Sequence, residues 1–115
     1  MSKERSRTVI IDIDGTIVRK FPGGASQQWT RTPEILPGVI DVFDKLEKEG
    51  AYIVLMTARK ECLREHTERA LRVAGLYYDQ LVMGVSNGER IVVNDGLCDS
   101  INVKPNEGLE SCGLV

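Results

Sequence analysis

The sequence predicts an α/β fold, a single domain built on an open parallel sheet with helices on both faces. Two observations predict it. Short β-branched apolar runs alternate with segments of helical period, which is the signature of strand–helix–strand crossovers. Three of the runs also close on polar residues, and open parallel sheets place their ligands beyond the carboxyl ends of the strands. The 115 residues are enough for one core, and 42% hydrophobic with 28% charged residues is an ordinary globular balance.

The elements follow in order. Val9-Ile-Ile-Asp-Ile13 suits a strand buried on both faces. Residues 19–36, with their prolines and the Gly23-Gly24 pair, read as a flap or loop in which Phe21 and Trp29 are packing residues. Val39, Ile40, Phe43 and Leu46 recur at helical spacing, between Pro37 as a helix start and Gly50 as its stop. Tyr52–Met56 is a second strand run. Leu63, Thr67, Ala70, Leu71 and Ala74 make one face of a helix over about 61–74 that ends at Gly75. Leu81–Met83 and Ile91–Val93 are further strand candidates, Ile101–Val103 a last edge strand, and about 105–115 a tail.

Composition excludes several roles. Fifteen Lys and Arg against seventeen Asp and Glu leave a net charge of −2, so neither a nucleic-acid coat nor a polybasic membrane binder is expected. No apolar run approaches the roughly 18–20 residues of a membrane span. The opening segment lacks a secretory signal's apolar stretch. Cys62, Cys98 and Cys112 have no metal-ligand spacing, and reduced thiols in a cytoplasmic protein are the simplest reading. His66 falls on a charged helix and reads as a solvated surface residue.

Chemistry concentrates at three strand ends: Asp12 and Asp14, Thr57, and Asp95 with Asp99. Alternation along an extended strand sends Asp12 and Asp14 to the same side. Carboxylates brought together need a cation, a shared proton or opposing environments. A hard divalent ion with oxygen ligands, Mg2+, resolves a third charge from Asp95. A carboxylate at such a site can attack a phosphoryl group, and a second can move the proton. Each residue also has a plainer structural reading: Asp14-Gly15 as a turn, Thr57 as a helix N-cap, Asp99 as a turn acid and Arg90 as an exposed strand-start charge.

Ile10-Ile-Asp12-Ile-Asp14-Gly15-Thr16-Ile17 resembles the first motif of the haloacid dehalogenase-like (HAD) phosphohydrolases. Ile53–Thr57 is similar to the second motif, and Val92-Val-Asn94-Asp95-Gly-Leu-Cys-Asp99 to the acidic fourth. The resemblance implies a Rossmann-like sheet of the small capless type. It implies a Mg2+-dependent phosphomonoester hydrolase with an aspartyl-phosphate intermediate. Asp12 would be the nucleophile and Asp14 the acid/base. Metal would be held by Asp12, the Asp14 backbone carbonyl and Asp95, and phosphate by Gly15, Thr57, Ala58 and Arg90. The substrate would be a small phosphate ester, a sugar phosphate among the options, or a larger phosphorylated molecule. An open site makes homo-oligomerisation plausible.

The sequence departs from the family at its third motif, because no Lys occurs between Lys60 and Lys104. Arg90 is the first candidate for that positive charge, with Lys104 and Arg59 behind it. The departure motivates an alternative: a catalytically weak module that binds Mg2+ and phosphate. A phosphorelay receiver is excluded, since its phosphoacceptor ends the third strand rather than the first.

Overall fold

The computed structural model describes residues 6–22 and 32–115. Three parallel strands form a sheet in the order β1 (Thr8–Asp12), β2 (Tyr52–Met56), β3 (Gln80–Val82). Helix α1 (Val39–Glu49) joins the first pair, and α2 (Arg64–Val73), preceded by a 3₁₀ turn at Glu61–Leu63, joins the second. β2 is central: Val9 pairs with Ile53, Asp12 with Met56, and Met56 in turn with Val82.

Both helices stop where the sequence predicts. At α1 the Gly50 N–H donates to the Glu47 carbonyl and the Ala51 N–H to that of Leu46. The same pair recurs at α2, from Gly75 to Arg72 and from Leu76 to Leu71. Both ends satisfy their last carbonyls through a glycine in the left-handed region.

The α/β class and the open parallel sheet are as expected, but the helical cover is one-sided. Val9, Ile11, Ile53, Leu55 and Leu81 share one sheet face and form a single buried cluster with Val39, Val42, Phe43 and Leu46 of α1 and Leu71 of α2. On the opposite face Ile10 is 55% exposed, and Tyr52 and Val82 are open to solvent. Helices on both faces are therefore corrected to helices on one face among the described residues. The uninterrupted apolar run of β1 hid the alternation, since Ile10 reads as a core residue by hydropathy alone.

Two expected strands are also absent. Ile91–Val93 and Ile101–Val103 adopt no regular structure, and Val93 is 96% exposed. β-branched residues favour a pleated backbone, but a strand persists only where a neighbour supplies its hydrogen bonds. Among the described residues neither run has such a partner.

Residues 105–115 do not trail. Leu109 belongs to the core, its N–H donates to the Pro37 carbonyl, and Arg7 donates to both Glu49 and the Leu114 carbonyl. No described helix is long and apolar enough to cross a membrane, and the three cysteines are free. Trp29 and the Gly23-Gly24 pair lie outside the described residues.

Candidate functional site

β1 delivers Asp12 at its last position. Directly behind it the chain turns back: the N–H groups of Thr16, Ile17 and Val18 converge on the Ile13 carbonyl, and the Gly15 N–H donates to Val18 at 2.8 Å. This turn holds Asp14 beside Asp12, as the Asp-x-Asp spacing predicts. It also commits the Gly15 amide, so that group does not stand free for an anion. The outgoing chain pairs with residues 34–36, through Arg19 N–H to Glu34 and Leu36 N–H to Ile17.

β2 delivers Thr57, Ala58 and Arg59. The chain beyond β2 remains stitched to the chain beyond β3. Thr57 N–H donates to Val82, Val85 N–H to Thr57, and Gly84 N–H to Arg59 at 2.7 Å. Thr57 is 1% exposed, and its hydroxyl accepts the Arg59 N–H at 3.1 Å. The helix N-cap reading of Thr57 is corrected: Lys60 and Leu63 occupy the positions before the 3₁₀ turn and α2, and the Thr57 hydroxyl closes a local turn at Arg59 instead. Ala58 is half-buried between them.

Arg59 is the organising residue. Its guanidinium grips both carboxylate oxygens of Asp14 in a fork, Nε at 2.9 Å and Nη2 at 2.7 Å, and donates a third bond to the Thr67 hydroxyl at 3.2 Å. Planar bidentate pairing of this kind is stronger and more directional than a point-charge contact. Both side chains are largely buried, with 6% of Arg59 and 19% of Asp14 exposed.

Asp12 is more open. Its nearest cation is Arg90, whose Nη2 lies 4.0 Å from Oδ1, with both side chains partly exposed. Burial raises the Asp12 pKa above the ordinary aspartate value. Arg90 acts against that rise, the Asp14 charge adds to it, and the Ile13 N–H and the Lys20 charge oppose it more weakly. Each carboxylate therefore faces a guanidinium, Asp14 in a close fork and Asp12 across 4.0 Å, and the Asp14 charge still adds to the rise at Asp12. Arg90, the first candidate for the missing positive charge, stands 4.0 Å from Asp12, and Arg59 is paired with Asp14.

Asp95 does not join them. It lies with Asp99 in an exposed stretch where Asn94 accepts the Gly96 N–H in a local turn, and it is not among the charges acting on Asp12. Among the described residues no three carboxylate, imidazole or thiolate groups come together to hold a metal. The expected Asp12–Asp14–Asp95 magnesium set is thus represented by its first two members only. His66 is exposed, and Lys104 is exposed.

Two contributors escaped sequence reasoning. Thr67 occupies the inward face of α2, and a hydroxyl on an otherwise apolar helical stripe was the signal that a polar group faces it. Lys20 carried no comparable signal, because its approach to the acidic pair depends on how the loop after Gly15 folds.

No protein-family model matches this sequence, and no curated protein matches it. Among solved structures, the fold is similar to a chain of the Pnkp1/Rnl/Hen1 complex, with 27% identity and a TM-score of 0.57 over 77% of this chain and 32% of that one. It is similarly close to a chain of the Pnkp1/Rnl/Hen1 RNA repair complex, at 26% identity and 0.56, over 78% and 30%. D,D-heptose 1,7-bisphosphate phosphatase from B. bronchiseptica, complexed with magnesium and phosphate, matches at 18% identity and 0.49 over 80% and 54%. The chain spans about a third of the length of the two complex chains it resembles. The likeness is consistent with the HAD-like α/β fold that the first-strand motif resembles.

Proposed function

We propose that this chain is a phosphohydrolase acting on phosphate monoesters, with Asp12 as nucleophile and Asp14 as acid/base. One observation carries the reading: two aspartates stand at the carboxyl end of the first strand in graded environments, one open and one gripped. Asp12 presents a half-open carboxylate whose proton affinity is raised by burial, which suits attack on phosphorus. Arg90 beside it would receive the phosphoryl oxygens as charge develops on them. Asp14 is orientated by the Arg59 fork; as the carboxylic acid, with one oxygen released from that fork, it would give its proton to the leaving oxygen, and the carboxylate so formed would later take one from water. Overall, the ester P–O bond breaks as an Asp12 acyl-phosphate forms, and water then returns the carboxylate and inorganic phosphate.

Magnesium belongs to the proposal through Asp12, whose carboxylate is open, and the Asp14 backbone carbonyl. When bound, the cation would neutralise phosphate charge. The likeness to chains from an RNA repair complex adds a phosphorylated RNA end to the substrates worth assaying beside sugar phosphates.

The test is a panel of p-nitrophenyl phosphate, sugar phosphates, nucleotides and end-phosphorylated RNA, with Asp12→Asn as blank. We expect turnover by the wild-type protein and none by the variant. Equal activity in both would refute the assignment. Phosphate binding without turnover of any ester would establish the weak binding module instead.

A further inference from the structure

The loop between the acidic pair and the rest of the chain is closed by one residue from far along the sequence. Asn106 donates its backbone N–H to the Gly15 carbonyl at 2.8 Å. Its side-chain amide pairs with both backbone groups of Lys20, accepting the N–H at 2.7 Å and donating to the carbonyl at 3.0 Å. Three bonds from Asn106 thus join the two ends of the loop 15–20, and none of them is local.

Asn106 is held in place in turn. Its φ of 66° is left-handed, a conformation that Asn tolerates better than most residues. Two residues on, Gly108 lies so close to the Pro37-Gly38 turn that a Cβ there would fall 2.2 Å from the Pro37 carbonyl oxygen. Leu109 is buried in the core and bonded to Pro37. Anchored on one side to the start of α1, the segment reaches the acidic turn on the other.

The closed loop sets the direction of Lys20. The side chain of Lys20 leaves the backbone over Gly15, with its Cβ and Cδ each 3.7 Å from the position of a Gly15 Cβ. Gly15 immediately follows Asp14. The stem of Lys20 thus runs beside the acidic turn, near enough for its charge to act on Asp12.

We propose that Asn106 is a positioning residue for the candidate site, holding the loop 15–20 closed so that Lys20 stands beside the acidic pair as a contact for the phosphoryl group. The assignment rests on the phosphohydrolase reading for its substrate class, and on the three hydrogen bonds for its geometry. It supplies a lysine that the order of motifs along the chain does not show. Lys20 is exposed, so water can replace the lost bonds when Asn106 is changed, and the core stays intact.

The test is a cycle of Asn106→Gly, Lys20→Met and the double variant. Glycine retains the left-handed backbone and the N–H to Gly15, and removes only the side-chain pair. We expect Asn106→Gly to speed amide exchange at Lys20 at least tenfold while exchange in β2 is unchanged, with a melting temperature within a few degrees of wild type. Each single variant should lower kcat/KM for p-nitrophenyl phosphate about tenfold, and the double variant should fall no further than either. Additive losses in the double variant, or wild-type exchange at Lys20 in Asn106→Gly, would overturn the proposal. If the wild-type protein turns over no ester, the hydrolase reading fails, and the same cycle is read on inorganic phosphate binding by calorimetry. Non-additive weakening there supports the positioning role, and undiminished binding or none at all overturns it.

Discussion

Replacing Arg59 by Met should destabilise the protein severely, through a mechanism distinct from loss of packing. The Arg59 side chain is 6% exposed and that of its partner Asp14 is 19% exposed, so the substitution leaves a carboxylate mostly out of water with its fork removed. Removing one partner of a buried pair costs about 3–5 kcal/mol, and the residual exposure of Asp14 places the loss near ~3 kcal/mol. Unfolding entropy of roughly 2.1 cal/mol/K per residue gives about 0.24 kcal/mol/K for a chain of this length, so Tm should fall by about 12 °C. Circular dichroism at 222 nm during a thermal ramp measures it. The companion variant is Arg59→Met/Asp14→Asn, in which no charge is left stranded. It should melt about 6 °C above Arg59→Met, even though it carries one more substitution. A single variant within 3 °C of wild type would refute this account, as would a double variant at the sum of the two single losses.

Other predictions concern the open side of the site. Because burial raises the Asp12 pKa, its ionised form is less favourable in the folded chain than in the unfolded one. Asp12→Asn should therefore melt slightly above wild type at pH 7, and the gain should vanish below the unfolded aspartate pKa of about 4, where both states are protonated. A lower melting temperature for the variant at pH 7 would contradict the burial argument. Arg90→Ala should lower kcat/KM about tenfold while stability moves by less than about 0.5 kcal/mol, since the contact to Asp12 is long and half-exposed. Full activity in that variant would remove Arg90 from the site. Chelation with EDTA should abolish turnover and added Mg2+ should restore it; undiminished turnover in EDTA would separate the chemistry from any divalent ion.

How far the sequence revealed this arrangement differs from residue to residue. The helices were legible because period and punctuation agreed: Val39, Phe43 and Leu46 turn inward and Gly50 ends the run, although Ile40, expected with them, is 51% exposed and Val42 is buried in its stead. The Asp12–Asp14 juxtaposition was expected from alternation along an extended strand, whereas β1 ends at Asp12 and a turn closed on the Ile13 carbonyl brings Asp14 beside it. Ile10 was misread because hydropathy does not say whether a neighbouring layer exists to cover a side chain. Ile91–Val93 was misread for the related reason that a strand is a property of a pair. The Arg59–Asp14 fork spans 45 residues of sequence, and local spacing carries nothing about such a match. Arg59 was therefore weighed only as a substitute for a missing lysine, when its partner is Asp14.

The bond from Gly84 N–H to the Arg59 carbonyl has a wider meaning for how this protein can change. It moors the backbone of the organising arginine to the chain just beyond β3, an edge strand and the shortest of the three. A substitution at Gln80 in β3, or at Met83 just beyond it, that shifts Gly84 would move the Arg59 backbone and strain its fork on Asp14, though neither residue lies in the acidic loop. Natural variation along this remote margin is thus a route by which the setting of Asp14 changes while the first motif stays letter-perfect.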